Sequence, residues 1–206
     1  DRARVKPGGP LLRRLTCAGG TNKIIEYFGP GVESISLTGR GTITNMGAEL
    51  GATTSLFPLD ERTERYLRHT FRQDIAAEAM VYAEHVNADP EVHANPSAYY
   101  DEVIEIDLDK LEPILVGPHS PDIAHNASEM KAHVEQNSWP QEVRACLIGS
   151  CTNSSYEDMG RAAAIIVKAT EQGVKPKVPL LISPGSDQIY ATIERDGLMK
   201  IFADFG

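Results

Sequence analysis

The amino-acid sequence predicts an α/β fold in which parallel sheets are flanked by helices. The carboxyl-terminal part carries the clearest pattern, with a strand at residues 145–149, a helix at 155–172, a strand at 178–183 and a further helix capped by Ser186. Strands and helices that alternate with short connections form a parallel sheet covered by helices. The composition agrees, because 41% hydrophobic and 24% charged residues are ordinary values for a globular domain.

The composition also argues against several classes of protein. A net charge of −9 disfavours a general nucleic-acid-binding protein, which would present a basic face, so no nucleic acid is expected as a partner. No apolar run approaches the roughly 18–20 residues that a membrane-spanning helix needs, and no membrane is expected either. Cys17, Cys146 and Cys151 are too few, and odd in number, for a disulfide framework, which favours a reducing compartment.

The first twenty residues are basic, since five Lys or Arg residues against Asp1 give a charge of +4. An Arg-rich start is compatible with a transit peptide, but this one lacks an amphipathic stripe. We therefore expect residues 1–20 to be a poorly ordered basic tail. Because the sequence has no initiating Met, we also expect the chain to be a fragment.

Two elements are predicted near the start of the ordered chain. Residues 23–28 are predicted to form a strand that ends at a Gly-Pro-Gly sequence. Residues 42–52 are predicted to form a helix, because apolar residues recur there at helical spacing. Gly47 and Gly51 would each cost about 1 kcal/mol in an exposed helix. Their presence suggests close packing against another backbone or a cofactor.

The middle of the chain is predicted to be mainly helical. Charged, amphipathic patterns indicate helices at 60–69 and 73–86, followed by a loop over 87–98. Residues 102–108 alternate between apolar and polar, as a half-buried strand does. Prolines and glycines crowd the stretch that follows, and we place a domain boundary there. The predicted domains are residues 21–115 and 116–206, both of the α/β class.

Cys151 is the candidate with the most favourable position. It lies just past the carboxyl end of a predicted strand, the edge at which open α/β sheets bind ligands. A capping box of Ser154-Ser155-Tyr156-Glu157 is predicted to begin the next helix, whose free N–H groups favour a thiolate or an anionic substrate. Hydrogen-bonding side chains surround it, namely Ser150, Thr152, Asn153, Ser154 and Ser155. From the residues alone, the alternative is that Cys151 is a buried free cysteine without a function. For Cys146, which lies inside the strand, a buried free cysteine is the favoured interpretation.

Asn45 and Glu49 form the second candidate pair. Four residues apart on the predicted helix, they would share one face among small neighbours, as a site requires. A solvent-facing polar stripe is the alternative. The histidines show no metal-ligand spacing, although His119 and His125 fall in the boundary segment and could lie near a cleft between domains.

Three segments resemble the aconitase family, in particular its mitochondrial-type branch. They are residues 39–58 (GRGTITNMGAELGATTSLFP), 147–161 (LIGSCTNSSYEDMGR) and 183–197 (SPGSDQIYATIERDG). The resemblance runs in order from about Gly19 to Gly206, with an insertion around residues 90–98. It implies aconitase domain 2 followed by part of domain 3.

The resemblance also implies a function. That family interconverts citrate and isocitrate through cis-aconitate at a [4Fe–4S] cluster held by three cysteines, one of whose irons acts as a Lewis acid. Cys151 matches one cluster ligand, and Asn45 resembles the family's cluster-contacting Asn. Glu49 resembles the Glu that hydrogen-bonds the substrate hydroxyl or water at the cluster. Ser150, Thr152, Asn153 and Ser154 become candidates for substrate binding near the cluster.

The chain departs from the family pattern in its set of cluster ligands, which is incomplete. The family's other two cluster cysteines form a C-x-x-C just beyond the point where this chain ends, so the ligand set here is incomplete. We therefore expect the chain to need the remainder of a parent enzyme, in the mitochondrial matrix or a bacterial cytoplasm, and to be inactive alone. Two alternatives remain: an isopropylmalate dehydratase or homoaconitase, and a non-catalytic truncated or RNA-binding relative such as the iron-responsive regulatory proteins.

Overall fold

The computed structural model describes residues 16–149 and 152–206. The chain divides into two compact units, Asp1–His133 and Val134–Gly206. The predicted basic tail lies mostly outside the described residues. The units divide later in the chain than the domain boundary placed near residue 115, and the assignment of domains 21–115 and 116–206 stays a prediction.

In its described part, from residue 16 onward, the first unit contains four short strands and most of the helices. Its strands are β1 (Ile24–Glu26), β2 (Thr54–Leu56), β3 (Ile114–Val116) and β4 (Ala124–Asn126). Its helices are α1 (Leu37–Met46), α2 (Glu61–His69), α3 (Gln73–Val81), α4 (Ala83–Val86) and α5 (Pro90–Ala94), and α6 (Met130–Asn137) continues into the second unit. The connections that the structure describes include 3-10 turns at Pro30–Ser34, Gly47–Leu50, Pro96–Ala98 and Leu108–Lys110.

A parallel strand pair organises the core of the first unit. β1 and β2 run parallel, with Ile25 opposite Ser55. The buried core of this unit consists of Tyr27, Val32, Ile35, Ile43 and Leu50, and Ile25 of β1 packs against it. Tyr27 also stacks on Phe57, with 4.5 Å between ring centroids. β3 and β4 form a separate antiparallel hairpin that the sequence did not predict.

The second unit repeats the alternation of strand and helix. Its elements are β5 (Cys146–Gly149), α7 (Tyr156–Glu171), β6 (Leu180–Ser183), α8 (Asp187–Arg195) and α9 (Leu198–Phe205). β5 and β6 are parallel, with Gly149 opposite Ser183. The three helices cover one face of the pair through a core of Met159, Ala163, Ile166, Ile193 and Phe202. The predicted α/β class with parallel strands and flanking helices is therefore confirmed.

Three predicted elements of the first unit need correction. The helix predicted at 42–52 begins earlier, because the Ser36 side chain accepts a hydrogen bond from Gly39 N at 3.1 Å and caps α1. It also ends at Met46, where the chain tightens into a 3-10 turn. The strand predicted at 102–108 is wrong: the segment is extended and half-buried in alternation, but none of its residues belongs to a strand. The loop predicted at 87–98 contains α5 and a 3-10 turn.

The second unit corrects two further details. Ser155, and not Ser154, caps α7, and its capping-box partner is Asp158 in place of Glu157. Cys146 was predicted to be buried, yet it is exposed, and Leu147 next to it is 63% exposed. The reason is that β5 pairs with β6 alone among the described residues and has helices on one face only. Along the described chain, no helix is both long and apolar enough to cross a membrane.

Candidate functional site

The connection between β5 and α7 carries the cysteine singled out by its position. Ser150 and Cys151 themselves lie outside the described residues. The strand before them ends at Gly149, where an added Cβ would lie 2.7 Å from the Ser183 Cβ. A glycine is therefore needed where β5 runs against β6 at its carboxyl end, two positions before Cys151.

The residues after Cys151 are held by the neighbouring connection. Ser154 is only 1% exposed, and its carbonyl oxygen accepts a hydrogen bond from Gly185 N at 3.2 Å. Thr152 is half-buried and Asn153 is exposed. Of these three predicted binding residues, Asn153 therefore presents the most surface at the amino end of α7.

The amino terminus of α7 is well defined. Ser155 Oγ accepts a hydrogen bond from Asp158 N at 3.2 Å, and the Asp158 carboxylate accepts one from Ser155 N at 3.1 Å. This reciprocal pair satisfies two N–H groups that a helix end leaves unpaired. The remaining N–H groups and the positive end of the helix dipole favour an anion at this end.

Asn45 and Glu49 lie on different kinds of helical turn. Asn45 is exposed on the last turn of α1, and Glu49 is exposed on the 3-10 turn that follows. A 3-10 turn advances by about 120° per residue where an α-helix advances by about 100°. Glu49 is therefore rotated farther from Asn45 around the axis than a continuous helix would place it, although both face outward.

Glycines let the turn that carries Glu49 pack tightly, as the sequence suggested. An added Cβ at Gly47 would lie 2.5 Å from Ser55 Oγ on β2. Gly51 has a φ of +76° and would bring a Cβ within 2.9 Å of Thr21 Oγ1. The close neighbours are thus other parts of the same unit.

Two buried hydroxyls lie beneath this turn. Tyr27 is 1% exposed, and neither its hydroxyl nor that of Ser55 has a hydrogen-bond partner of normal geometry within the described ranges. Burial raises the pKa of Tyr27, and the nearby Ser55 hydroxyl opposes that rise. A raised pKa keeps the Tyr27 hydroxyl protonated and neutral.

Cys17 has a partner that the sequence did not reveal. Its backbone N–H donates to Asp122 Oδ1 at 2.7 Å, across 105 positions of sequence. A hydrogen bond to Asp122, aided by burial and by the charges of Asp122 and Glu49, raises the pKa of the Cys17 thiol. Cys17 is therefore a neutral thiol in the neighbourhood of Glu49. A separation this large gives no local sequence signal.

The other candidates contribute less. His119 is exposed in the connection between β3 and β4, and His125 on β4 packs against His133, with 4.1 Å between ring centroids. Their predicted place near a cleft between domains stays a prediction. Cys146 begins β5, three positions before the strand's carboxyl end, and so lies away from the Cys151 connection.

One cysteine of this chain is predicted from the sequence to be a metal-cluster ligand. Among the residues the structure describes, no group of three or more His, Cys, Asp or Glu side chains could hold a metal ion. Cys151 is the one cysteine placed by sequence at a strand-to-helix connection, beside a helix amino terminus that stabilises thiolates. From the sequence, Cys151 is thus a single candidate ligand, and its role stays a prediction.

Comparison with known proteins identifies the relatives of this chain. The model of the aconitase family (aconitate hydratase) matches residues 10–206. A probable mitochondrial aconitate hydratase of Caenorhabditis elegans is 55% identical over 192 residues, which cover 93% of this chain. The mitochondrial aconitate hydratase of Schizosaccharomyces pombe is also 55% identical, and a probable one of Dictyostelium discoideum is 51% identical, over the same share.

The coverage of the relatives is much smaller than that of this chain. The matched region makes up 24% of the length of each of these three proteins. The chain thus spans about a quarter of the relatives it matches. A family model that covers nearly all of this sequence, together with identities above one half, settles its ancestry: the chain belongs to the aconitase family.

Proposed function

We propose that this chain is part of an aconitate hydratase, a hydro-lyase of the tricarboxylic acid cycle that interconverts citrate and isocitrate through cis-aconitate. The observation that carries the proposal is the 51–55% identity, over 93% of the chain, to proteins named aconitate hydratase. Those names favour citrate and isocitrate over isopropylmalate as substrates. Because the chain spans a quarter of such proteins, the activity is proposed for the parent enzyme.

Cys151 is proposed as one thiolate ligand of a [4Fe–4S] cluster. When bound, such a cluster supplies a Lewis acid that eases the departure of the substrate hydroxyl. The connection between a strand and the amino end of α7 supports the assignment, because free N–H groups there stabilise a thiolate. The remaining cysteines of the ligand set would come from other parts of the parent enzyme.

Glu49 is proposed to deliver the proton in the dehydration step and to remove it in the rehydration step. Loss of water from citrate or isocitrate needs a proton delivered to the departing hydroxyl oxygen, and addition of water needs one removed. Glu49 is suited to that exchange, because its carboxylate is exposed on a turn whose backbone is fixed by close packing. Asn45, one turn earlier, offers an amide that can orient a bound oxygen.

The substrate is a multiply charged anion, and the chain itself carries a net charge of −9. Local positive potential must therefore come from particular groups. The amino terminus of α7 provides some of it through its N–H groups and dipole. Asn153, with Thr152, Ser150 and Ser154 as further candidates, is proposed to add hydrogen bonds to substrate or cluster there. Following the names of its relatives, we place the parent enzyme in the mitochondrion, in its matrix.

The parent enzyme, reconstituted with iron and sulfide, provides the test. We expect it to convert citrate and isocitrate to cis-aconitate, followed by the absorbance of that product, and to leave isopropylmalate unchanged. Glu49→Gln should lower kcat by about 10²-fold or more with little change in KM, because a proton-transfer group acts in the transition state.

Glu78→Gln is the matched control, since Glu78 is an exposed carboxylate on α3. It should leave kcat unchanged. Equal kcat values for the Glu49→Gln and wild-type enzymes would remove Glu49 from the mechanism. Turnover of isopropylmalate in place of citrate would overturn the substrate assignment.

A further inference from the structure

We infer that Asp122 is a positioning residue for Glu49, acting through the loop formed by residues 17–21. The inference rests on the proposed function, because it takes Glu49 as the proton-transferring carboxylate. It adds a residue from the β3–β4 hairpin, distant in sequence, to the groups that set the geometry of the Glu49 turn.

The first link joins Asp122 to the loop. Asp122 Oδ1 accepts a hydrogen bond from Cys17 N at 2.7 Å, a short distance for a bond of this type. Asp122 is itself anchored at the end of the hairpin connection, where its own N–H donates to Ser120 Oγ at 3.2 Å. The carboxylate is thus oriented toward the beginning of the loop.

The second link joins the loop to the Glu49 turn. Gly20 N donates to Leu50 O at 2.8 Å, and Leu50 directly follows Glu49. Thr21 forms an antiparallel bridge with Ala52, just past the turn. An added Cβ at Gly20 would lie 2.7 Å from Leu50 O, so the two backbones are in direct contact. Movement of the loop therefore moves the backbone that carries Glu49.

The third observation is internal to the loop. Thr21 Oγ1 and Thr21 N both donate to Ala18 O, at 2.8 and 3.1 Å. These bonds close the loop into a compact turn between Cys17 and Gly20. Because these hydrogen bonds restrain the loop, a displacement of the backbone at Cys17 also displaces the backbone at Gly20.

The Glu49 turn needs this external support. It is a single 3-10 turn of four residues, and a turn that short has little stability of its own. One side of it is fixed by Gly47 against Ser55. The loop fixes the other side, and Asp122 is the side chain that fastens the beginning of the loop.

Kinetics of the parent enzyme test the role in catalysis. Asp122→Ala removes the acceptor for Cys17 N, and we expect kcat to fall by about three- to tenfold, as the loss of one partly exposed hydrogen bond allows, with KM within about twofold. Asp122→Asn keeps an oxygen acceptor and should restore most of kcat. Asp101→Ala, at another exposed aspartate of the same unit, should have no effect.

A second measurement does not depend on activity. In the 206-residue chain, hydrogen exchange of the Leu50 and Ala52 amides should be faster in Asp122→Ala than in the wild type and close to wild type in Asp122→Asn. Alkylation of Cys17, followed by peptide mass spectrometry, should speed up in both variants, because each removes a negative charge from beside the thiol.

The two measurements separate failure of this inference from failure of the proposed function. Suppose that Glu49→Gln leaves kcat unchanged while Asp122→Ala still accelerates exchange at Leu50. The structural link from Asp122 to the Glu49 turn is then correct, but the catalytic role of Glu49 is wrong, and the positioning role of Asp122 is overturned with it. If Glu49→Gln abolishes turnover but Asp122→Ala changes neither kcat nor exchange, Asp122 is not a positioning residue. An equal loss of kcat in the Asn and Ala variants would likewise overturn the hydrogen-bond argument.

Discussion

The Arg40 guanidinium, only 2% exposed, donates to the Asp60 carboxylate that caps α2. Arg40 also donates to three carbonyl oxygens, those of Val32 and Pro58 at 3.1 and 3.2 Å and that of Ile35 at 3.2 Å. Hydrogen bonds from each of its nitrogens offset much of the cost of burying this charge, whereas the same charge without its carboxylate partner is far more costly to bury. One side chain therefore joins α1, the turn before it and the start of α2.

Replacing Asp60 should destabilise the first unit strongly and in a pH-dependent way. Asp60→Ala leaves the buried charge of Arg40 without its carboxylate partner and removes the cap of α2. We therefore expect a loss of about 3 kcal/mol or more in unfolding free energy. Urea denaturation followed by far-ultraviolet circular dichroism measures it. Asp74→Ala, on an exposed position of α3, is the control, and an equal loss there would contradict the assignment.

The pH dependence follows from the direction of the Asp60 pKa shift. Burial raises the pKa of Asp60, but hydrogen bonds from Arg40 and the Thr63 and Arg62 N–H groups outweigh it and hold the pKa below its ordinary value. Because the pKa of Asp60 is lower in the folded state, its ionised carboxylate stabilises the fold fully at pH values above the unfolded pKa of about 3.9. This stabilisation is lost as the pH falls through the pKa of the folded state. The wild type should therefore lose stability in acid more steeply than Asp60→Asn.

Gly47→Ala should also destabilise the first unit, through a steric clash. The added Cβ would lie 2.5 Å from Ser55 Oγ, so either side chain or backbone must shift, at a cost of about 1–3 kcal/mol. The double variant Gly47→Ala, Ser55→Ala should recover most of the loss, because the clashing oxygen is gone. Thermal unfolding of the two single variants and the double variant gives the coupling.

Gly41→Ala, on the α1 helix that precedes the turn, is the matched control. A Cβ at Gly41 has no heavy-atom neighbour within 4 Å, and alanine is favoured over glycine in a helix by about 1 kcal/mol. This variant should be as stable as the wild type or more so. Equal destabilisation by Gly41→Ala would show that the effect at Gly47 is unrelated to Ser55.

These features show where the sequence sufficed and where it did not. The alternation of β5, α7, β6 and α8 was predictable, because each element follows from local periodicity and caps such as Ser186, whose Oγ accepts from Ile189 N at 3.2 Å. Residues 102–108 alternate correctly too, with Ile104 and Ile106 packed on the core. Whether such a segment joins a strand depends on a distant partner, which periodicity cannot supply.

The candidate site divides in the same way. Spacing and the family resemblance made Asn45 and Glu49 a candidate pair, but neither predicted the 3-10 turn that begins at Gly47, close to Ser55. Arg40 gave no signal, because arginines are rarely buried and its partners come from two separate segments, residues 32–35 and 58–60. The contact between Cys17 and Asp122 is likewise a product of the tertiary fold.

The capping box of α7 gives a prediction for the second unit. Ser155→Ala removes the acceptor for Asp158 N, and we expect a loss of about 1 kcal/mol in unfolding free energy. Asp158→Ala removes the reciprocal bond, and the double variant should cost less than the sum of the two single ones, because both act on one motif. Thermal unfolding of these variants measures the coupling. Fully additive losses would contradict the reciprocal cap.

The proposed role of Cys151 as one thiolate among several gives the last prediction. In the parent enzyme, Cys151→Ser should abolish the cluster, because a hydroxyl is a poor ligand for iron compared with a thiolate. Iron and sulfide content per protein, with the visible absorbance of the cluster, measures this loss independently of turnover. Cys146→Ser is the matched control, since Cys146 is exposed at the opposite end of the same strand. A normal iron-to-protein ratio in Cys151→Ser, or equal losses in both variants, would refute Cys151 as a cluster ligand.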